Sequence, residues 1–294
     1  MGFDFKDIIY EKKHLDSGGG VARITINRPE KLNAFTNVTV TEMGTAFDDA
    51  SHDPSIGVVV LTGTGDKAFC VGGDVTWEST GGLRRQFYHE HWPNYYLRLC
   101  RKPIIAVVKG YAIGGGHHIA YCCDFTIAAE NAVFGQSGPR VASPADGWIV
   151  PYLARVVGAK KAREIWMLCR RYSAREALEM GLVNKVVPLD KLAEEVDKWC
   201  EEILALSPTC IEILKAAFDA DIEYLTGTFG LQSRLMAPGH FDSEEFKEAQ
   251  QAFLEKRKPD FWRKKLVGLK TEEGSPKTGE TAWKKVSPGG ETLG

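Results

Sequence analysis

Hydrophobic residues in this chain fall into short runs broken by glycine and proline. Ile8–Lys13 and Val21–Asn27 (VARITIN) alternate apolar and polar residues across the separator Ser17–Gly20, which predicts a β-hairpin. Arg28-Pro29-Glu30 closes the second strand. Val58–Leu61 (VVVL), Ile104–Val108 (IIAVV, after Pro103) and Phe125–Ala128 are apolar runs with the pattern of buried strands. Helical spacing predicts Asn37–Asp49, with Val38, Met43, Ala46 and Phe47 on one side, then His117–Cys123, Lys160–Cys169 and Ala174–Met180, the last stopped by Gly181. Leu189–Leu206 is amphipathic, with Leu192, Val196, Trp199, Cys200 and Ile203 together, and Ser207-Pro208 ends it; Pro208–Ala220 and Glu244–Lys256 follow. Strand and helix alternate, so the expected class is α/β: βαβ units with helices packed on a sheet.

The regular pattern is interrupted at Thr76–Asn94, which holds Trp77, Gly81, Gly82, Arg84, Arg85 and then FYHEHWPNYY. An aromatic-rich irregular stretch between regular elements reads as a substrate lid or as a surface loop. Residues 1–172 are expected to form the core with the site, and 173–269 a helical region that packs on neighbouring copies. From about residue 270, Gly, Thr, Lys and Pro dominate, and such a tail cannot bury a core. No internal repeat or domain linker is visible.

Charge narrows the class. Over 294 residues the net charge is −2 and the sequence pI about 6.4, so no nucleic-acid footprint is expected. Seven cysteines without C-x-x-C spacing suit reduced, buried thiols and a cytoplasmic protein. The opening MGFDFKDIIYEKK has acidic residues and no apolar centre, so no signal peptide is expected, and Lys6 stands at the Ser/Thr position of a myristoylation signal. No run approaches the roughly 20 apolar residues of a membrane span.

Candidate chemistry concentrates in two glycine-terminated strand ends. Lys102–Gly116 (KPIIAVVKGYAIGGG) runs a strand into Gly114, Gly115 and Gly116 at the start of a helix. Gly65–Asp74 (GDKAFCVGGD) follows Val58–Leu61 and ends in Gly72 and Gly73. Glycines at such junctions let backbone approach a ligand and expose N–H groups, which stabilise developing negative charge. A tight turn packed on a neighbour has the same spelling. The triple glycine lacks the G-x-G-x-x-G spacing of a dinucleotide site, and GQSGP closes on Pro139, unlike a nucleophile elbow around Ser137. His89, His91, His117 and His118 have no carboxylate or Cys at ligand spacing, so no metal is expected.

Together these segments resemble the crotonase (enoyl-CoA hydratase/isomerase) superfamily, over about Ile8–Phe261. FGQSGPRV, LARVVGAKKAREIWMLCRRYSAREALEMGLVNKVVP and EKRKPDF are most similar to its naphthoate synthase branch and to ring-opening hydrolases of alicyclic acyl-CoA. The resemblance implies a spiral of ββα units with a helical C-terminal region, a homotrimer or homohexamer, an acyl-CoA substrate, and no cofactor beyond the coenzyme A of that substrate. It implies an oxyanion hole from the Gly73 and Gly115 amides. Arg28, Lys31, Lys67, Val71, Gly72, Asp74, Gly114, Gly138, Trp148 and Lys256 are implied to line the acyl-CoA path.

The two glutamates of enoyl-CoA hydratases are replaced here by His118 and Gly138. Alignment on LARVVG places the aspartate of dienoyl-CoA isomerases and chlorobenzoyl-CoA dehalogenases on Asp146, while the naphthoate synthase aspartate falls on Ala145. Asp146 also sits in Pro-Ala-Asp-Gly, a turn sequence. A carboxylate in such an apolar loop has its pKa raised by desolvation and can exchange protons. His91 matches the general-base histidine of dehalogenase-like members, with His89 and His118 as alternatives. Val75 and Phe241 stand where naphthoate synthases carry Gln and Tyr. Three readings result: C–C hydrolysis or condensation on a cyclic or aromatic-derived acyl-CoA, hydration or isomerisation of a cyclic enoyl-CoA, or a binding protein on this fold.

Overall fold

The computed structural model describes residues 3–15, 19–80, 93–145, 147–226, 231–237 and 239–262. Its larger sheet has the order β1-β2-β3-β5-β7-β10: β1 Ile8–His14, β2 Gly20–Ile26, β3 Ile56–Gly63, β5 Ile104–Val108, β7 Phe125–Ala129 and β10 Lys185–Val187. β1 and β2 form the expected hairpin, Ile8 facing Ile26 and His14 facing Gly20. Every later pairing in this sheet is parallel. A parallel sheet covered on both faces calls for continuous apolar strands. β3 shows why: Val59 and Leu61 enter the main core with Ile24, Met43, Phe47 and Phe134, whereas Val58 and Val60 enter a second cluster with Ile105, Val107, Leu192 and Val196.

A smaller sheet, β4-β6-β8-β9, joins Ala68–Cys70, Tyr111–Ile113, Val133–Gly135 and Arg171–Ser173. β4, β6 and β8 run parallel, and β9 is antiparallel to β8. β4, β6 and β8 each follow a strand of the larger sheet across a short turn. β3–β4, β5–β6 and β7–β8 are therefore successive arms of a spiral, each followed by helical structure. This is the ββα architecture expected from the resemblance.

The helices are α1 Asn37–His52, α2 Val75–Ser79, α3 Pro93–Leu99, α4 Gly115–Cys122, α5 Ile149–Val157, α6 Ala159–Leu168, α7 Ala174–Glu179, α8 Leu192–Leu204, α9 Pro208–Ala220, α10 Glu223–Thr226, α11 Leu231–Met236 and α12 Glu244–Leu254. Capping sets several starts. Thr36 and Thr39 form a capping box on α1, and Ser173 with Glu176 does the same on α7. Val38, expected on the buried side of α1, is exposed; Thr39, Val40, Met43, Ala46 and Phe47 carry that face. The stretch expected to be irregular contains α2 and the start of α3, whereas positions 81–92, with His89 and His91, lie outside the described residues. So do Asp146 and the tail from 263 onward. No helix among the described residues is long and apolar enough to cross a membrane.

The C-terminal helices reach back to the core. α12 buries Phe246 and Ala249 against Ala142, and His240 Nε2 lies 2.6 Å from the Ala142 carbonyl oxygen. Phe241 packs edge-on against Phe246, with centroids 5.2 Å apart. On the outer side, Ile213, Leu214 and Phe218 of α9 and Phe253 and Leu254 of α12 are exposed.

Candidate active site

β4 delivers the chain to Val71, Gly72 and Gly73. A parallel bridge to Phe35 then orients the backbone: Phe35 N–H donates to Gly72 O at 2.8 Å, and Asp74 N–H donates to Phe35 O at 2.9 Å. Because amides alternate along an extended chain, this bridge turns the N–H of Gly73 away from Phe35. Asp74 starts α2, its Oδ1 accepting from Thr76 N–H at 3.0 Å and Trp77 N–H at 3.3 Å. Arg28, from the turn after β2, donates to Asp74 Oδ2 at 3.1 Å and to the Ala34 carbonyl. Desolvation works against the Asp74 carboxylate, but the Trp77 amide and the Arg28 guanidinium outweigh it and hold its pKa below the usual range.

β6 delivers the second strand end. Gly114 has φ +56°, a left-handed conformation open to glycine, and its N–H donates to Gly135 O at 3.0 Å. Gly115 and Gly116 then begin α4 against the first strand end. A Cβ on Gly116 would collide with Cys70 O, and one on Gly115 would lie 2.6 Å from the Phe35 ring and 3.1 Å from Gly72 Cα. From the other side, a Cβ on Gly72 would lie 2.9 Å from Gly115 N. The two glycine turns therefore touch. Neither Gly73 N–H nor Gly115 N–H donates to an acceptor among the described residues. Two free amides on adjoining turns, one of them at a helix N-terminus, suit an oxygen that gains negative charge.

Under Gly115, α4 is locked. His117 and His118 are buried and bridged by Gln136: His118 Nε2 lies 3.1 Å from Gln136 Oε1, and Gln136 Nε2 lies 2.8 Å from His117 Nδ1. The Gln136 amide so placed requires a proton on His118 Nε2 and none on His117 Nδ1. Both rings are neutral at pH 7, because burial depresses His118 to about 4 and burial, aided by His118 and Arg171, depresses His117 to about 3. His118 also packs at a tilt against Trp166, centroids 5.0 Å apart. The position that holds a glutamate in the hydratases is thus an enclosed neutral imidazole here.

Sequence reasoning missed Glu78. One turn into α2, its carboxyl folds back onto Gly73, where an added Cβ would collide with Glu78 Oε1. Desolvation, then the Asp74 charge, push it up to about 7. A signal existed, because Asp74 N-caps a turn that carries Glu78 back over the glycines, but Thr76–Asn94 carries no periodic pattern to announce that turn.

The other expected residues are spread more widely. Gly138 begins a 3-10 turn, Gly138–Val141, that closes through Ser143 N–H donating to Gly138 O at 3.0 Å. Trp148 is buried in the main core beside Tyr152, with the Arg98 guanidinium over its ring. Arg28 is committed to Asp74, Ala34 and Asp7. Lys31, Lys67 and Lys256 are exposed. A cavity of about 290 Å³ lined by Arg98, Arg101, Glu212 and Lys215 lies between α3 and α9; no amide-pair residue lines it.

Comparison with known proteins agrees with this geometry. Residues 16–264 match the family model described as enoyl-CoA hydratase/isomerase. An enoyl-CoA hydratase from Mycobacterium avium subsp. paratuberculosis K-10 superposes with TM-score 0.73 at 28% identity, covering 87% of this chain and 99% of that one. An enoyl-CoA hydratase/isomerase from Pseudoalteromonas atlantica T6c gives 0.72 at 26%, covering 87% and 100%. An enoyl-CoA hydratase from Bacillus anthracis gives 0.64 at 30%, covering 87% and 99%. With nearly all of its described core inside the family match and the paired glycine turns in place, the chain belongs to the enoyl-CoA hydratase/isomerase family, the crotonase superfamily.

Proposed function

We propose that this protein is an acyl-CoA-transforming enzyme that stabilises a thioester enolate with the amides of Gly73 and Gly115. The observation that carries the reading is the contact between the two glycine turns, with both N–H groups left without an acceptor among the described residues. An enolate places its charge on the thioester oxygen, which is what two preorganised donors favour over the neutral ground state. The substrate is a cyclic or aromatic-derived acyl-CoA, and the reaction C–C bond hydrolysis or condensation. Support comes from the FGQSGPRV and LARVVG segments and from the missing hydratase glutamates. Asp146 is the acid–base group, assisted by His91; both lie outside the described residues.

A second reading, hydration or isomerisation of a cyclic enoyl-CoA, draws support from the names of the similar structures. An absorbance assay on cyclic β-ketoacyl-CoA, aromatic-derived acyl-CoA and straight-chain enoyl-CoA separates the readings. Turnover confined to enoyl-CoA removes the C–C bond reading, and saturable binding without turnover of any thioester makes the protein a binding module. The exposed apolar residues of α9 and α12 support a homotrimer or homohexamer. Sedimentation at micromolar concentration is expected to give a multiple of the 32.5 kDa chain mass; the chain mass itself would contradict the assembly.

A further inference from the structure

Glu78 is a carboxyl that the architecture holds over Gly73, one of the amide pair. Its N–H donates to Asp74 O at 2.8 Å, closing the single turn of α2. That turn carries the side chain over Gly73, where an added Cβ would lie 2.9 Å from Glu78 Cδ and collide with Oε1. No described cation pairs with this carboxyl, and no described N–H satisfies it. Among the described residues, the charged group that acts on it is Asp74, at its own helix start, whose carboxylate also holds Arg28. His117 and His118 on the opposite wall are neutral. A partly buried structural carboxylate in so desolvated a setting is ordinarily paired. One without a partner among the described residues, beside an oxyanion donor, is suited to gaining and losing a proton.

We propose that Glu78 takes the α-proton of the bound thioester and returns it to carbon. The inference rests on the enolate reading above. The α-C–H bond breaks and its proton passes to a Glu78 oxygen. The electron pair moves onto the thioester oxygen, where the Gly73 and Gly115 amides receive it. The reverse step re-forms C–H and leaves the carboxylate, so no further reactant is consumed. Proximity to Asp74 and shielding from water keep the protonated carboxyl accessible near neutral pH, where a general base works best.

Acetoacetyl-CoA, a β-keto thioester whose enolate absorbs in the near ultraviolet, is the probe. Calorimetric titration of the full chain at about pH 8, in buffers of different protonation enthalpy, counts the protons released on binding. Wild type is expected to form the enolate with no net release, because Glu78 keeps the proton. Glu78→Gln is expected to bind the thioester and to release about one proton as the enolate forms. Its enolate signal is expected to fall about tenfold for each unit of decreasing pH, while the wild-type signal stays level down to about 7. Equal proton release by the two proteins overturns the assignment and leaves the amide pair intact as an enolate site. Thioester binding with no enolate signal in wild type overturns the enolate reading and this assignment with it. Should Glu78→Gln not fold, the wild-type infrared spectrum decides. A protonated-carboxyl band must appear on acetoacetyl-CoA binding at about pH 8, and its absence rejects Glu78.

Discussion

β4 and β6 both end in glycines whose amides meet, yet the helices that follow differ in kind. α4 is sunk in the core: Gly116 through Tyr121 are all buried, and its two histidines are neutral and tied to Gln136. α2 buries none of its five residues fully and carries the ionisable groups, with Asp74 at its cap, Glu78 on its inner side and Arg28 across from it. The α4 wall supplies fixed dipoles that need no reorganisation when charge develops. The α2 wall supplies a group whose charge can change. Keeping the ionisable groups off α4 leaves the Gly115 donor on a buried helix, while Gly73 lies beside the α2 groups that are tuned by their neighbours.

The largest effect is expected from breaking the α4 wall. Gly115→Val would drive side-chain carbons into the Phe35 ring and Gly72, displacing the amide. Turnover is expected to fall by roughly 10²–10³, the range for losing one oxyanion donor. A folded Gly115→Val protein with unchanged steady-state rates would remove the amide pair from the mechanism. Next comes Asp146→Asn, which keeps size and turn propensity. CoA-ester binding is expected to persist while turnover drops at least about 10²-fold, the low end for general acid–base catalysis. Full turnover in that variant would leave all proton transfer to the α2 wall.

How much of this was legible in the sequence depends on burial and length. Ile104–Val108 could be read at its final boundaries because a strand covered on both faces must be apolar throughout. β4, β6, β8 and β9 have three residues each, too few to show a period, so the second sheet came only with the family resemblance. The glycines were visible as a motif; the contact of Gly116 with Cys70 O, which requires that spelling, is long-range and was not. His118 matched a catalytic position by alignment, but Gln136, eighteen positions further on, decides its state. Glu78 stayed hidden because its meaning depends on a fold-back onto Gly73 that no linear pattern records. In the C-terminal region, helical periods were clear, whereas the anchoring of α12 on Ala142 was not.

The neutral histidines of the α4 wall give a smaller effect, in stability. Both have folded pKa values below the usual 6.5, at about 3 for His117 and about 4 for His118, so the unfolded chain binds more protons below pH 6.5. Their contribution is complete above the unfolded value and is lost as pH falls from 6.5 toward about 4 and then about 3. The expected slope is roughly 1.4 kcal/mol per pH unit for each histidine. Urea midpoints measured across this range test it. A midpoint that does not move between pH 6.5 and about 5 would mean that both imidazoles are already charged in the folded protein, and half the slope that one of them is.

The smallest expected effect tests how the α2 wall is tuned. Asp74→Asn keeps a competent helix cap, because asparagine accepts from the same Thr76 and Trp77 amides. It deletes the negative charge that, after desolvation, helps to hold Glu78 near 7. It also leaves Arg28 with Asp7 as its carboxylate partner, so less negative charge balances the guanidinium on that side. Both changes favour ionised Glu78, so its pKa must fall. If Glu78 is the base, activity requires the carboxylate, and the acidic limb of the kcat/KM profile reports that pKa in the free enzyme. The limb is expected to move to lower pH by no more than about one unit, since desolvation, the larger cause, is untouched. Movement to higher pH would show that Arg28 and Asp74 act on the rate through substrate binding and not through Glu78. An unmoved limb in Asp74→Asn, together with one abolished in Asp146→Asn, would assign the titrating base to Asp146 and leave the α2 wall with positioning alone.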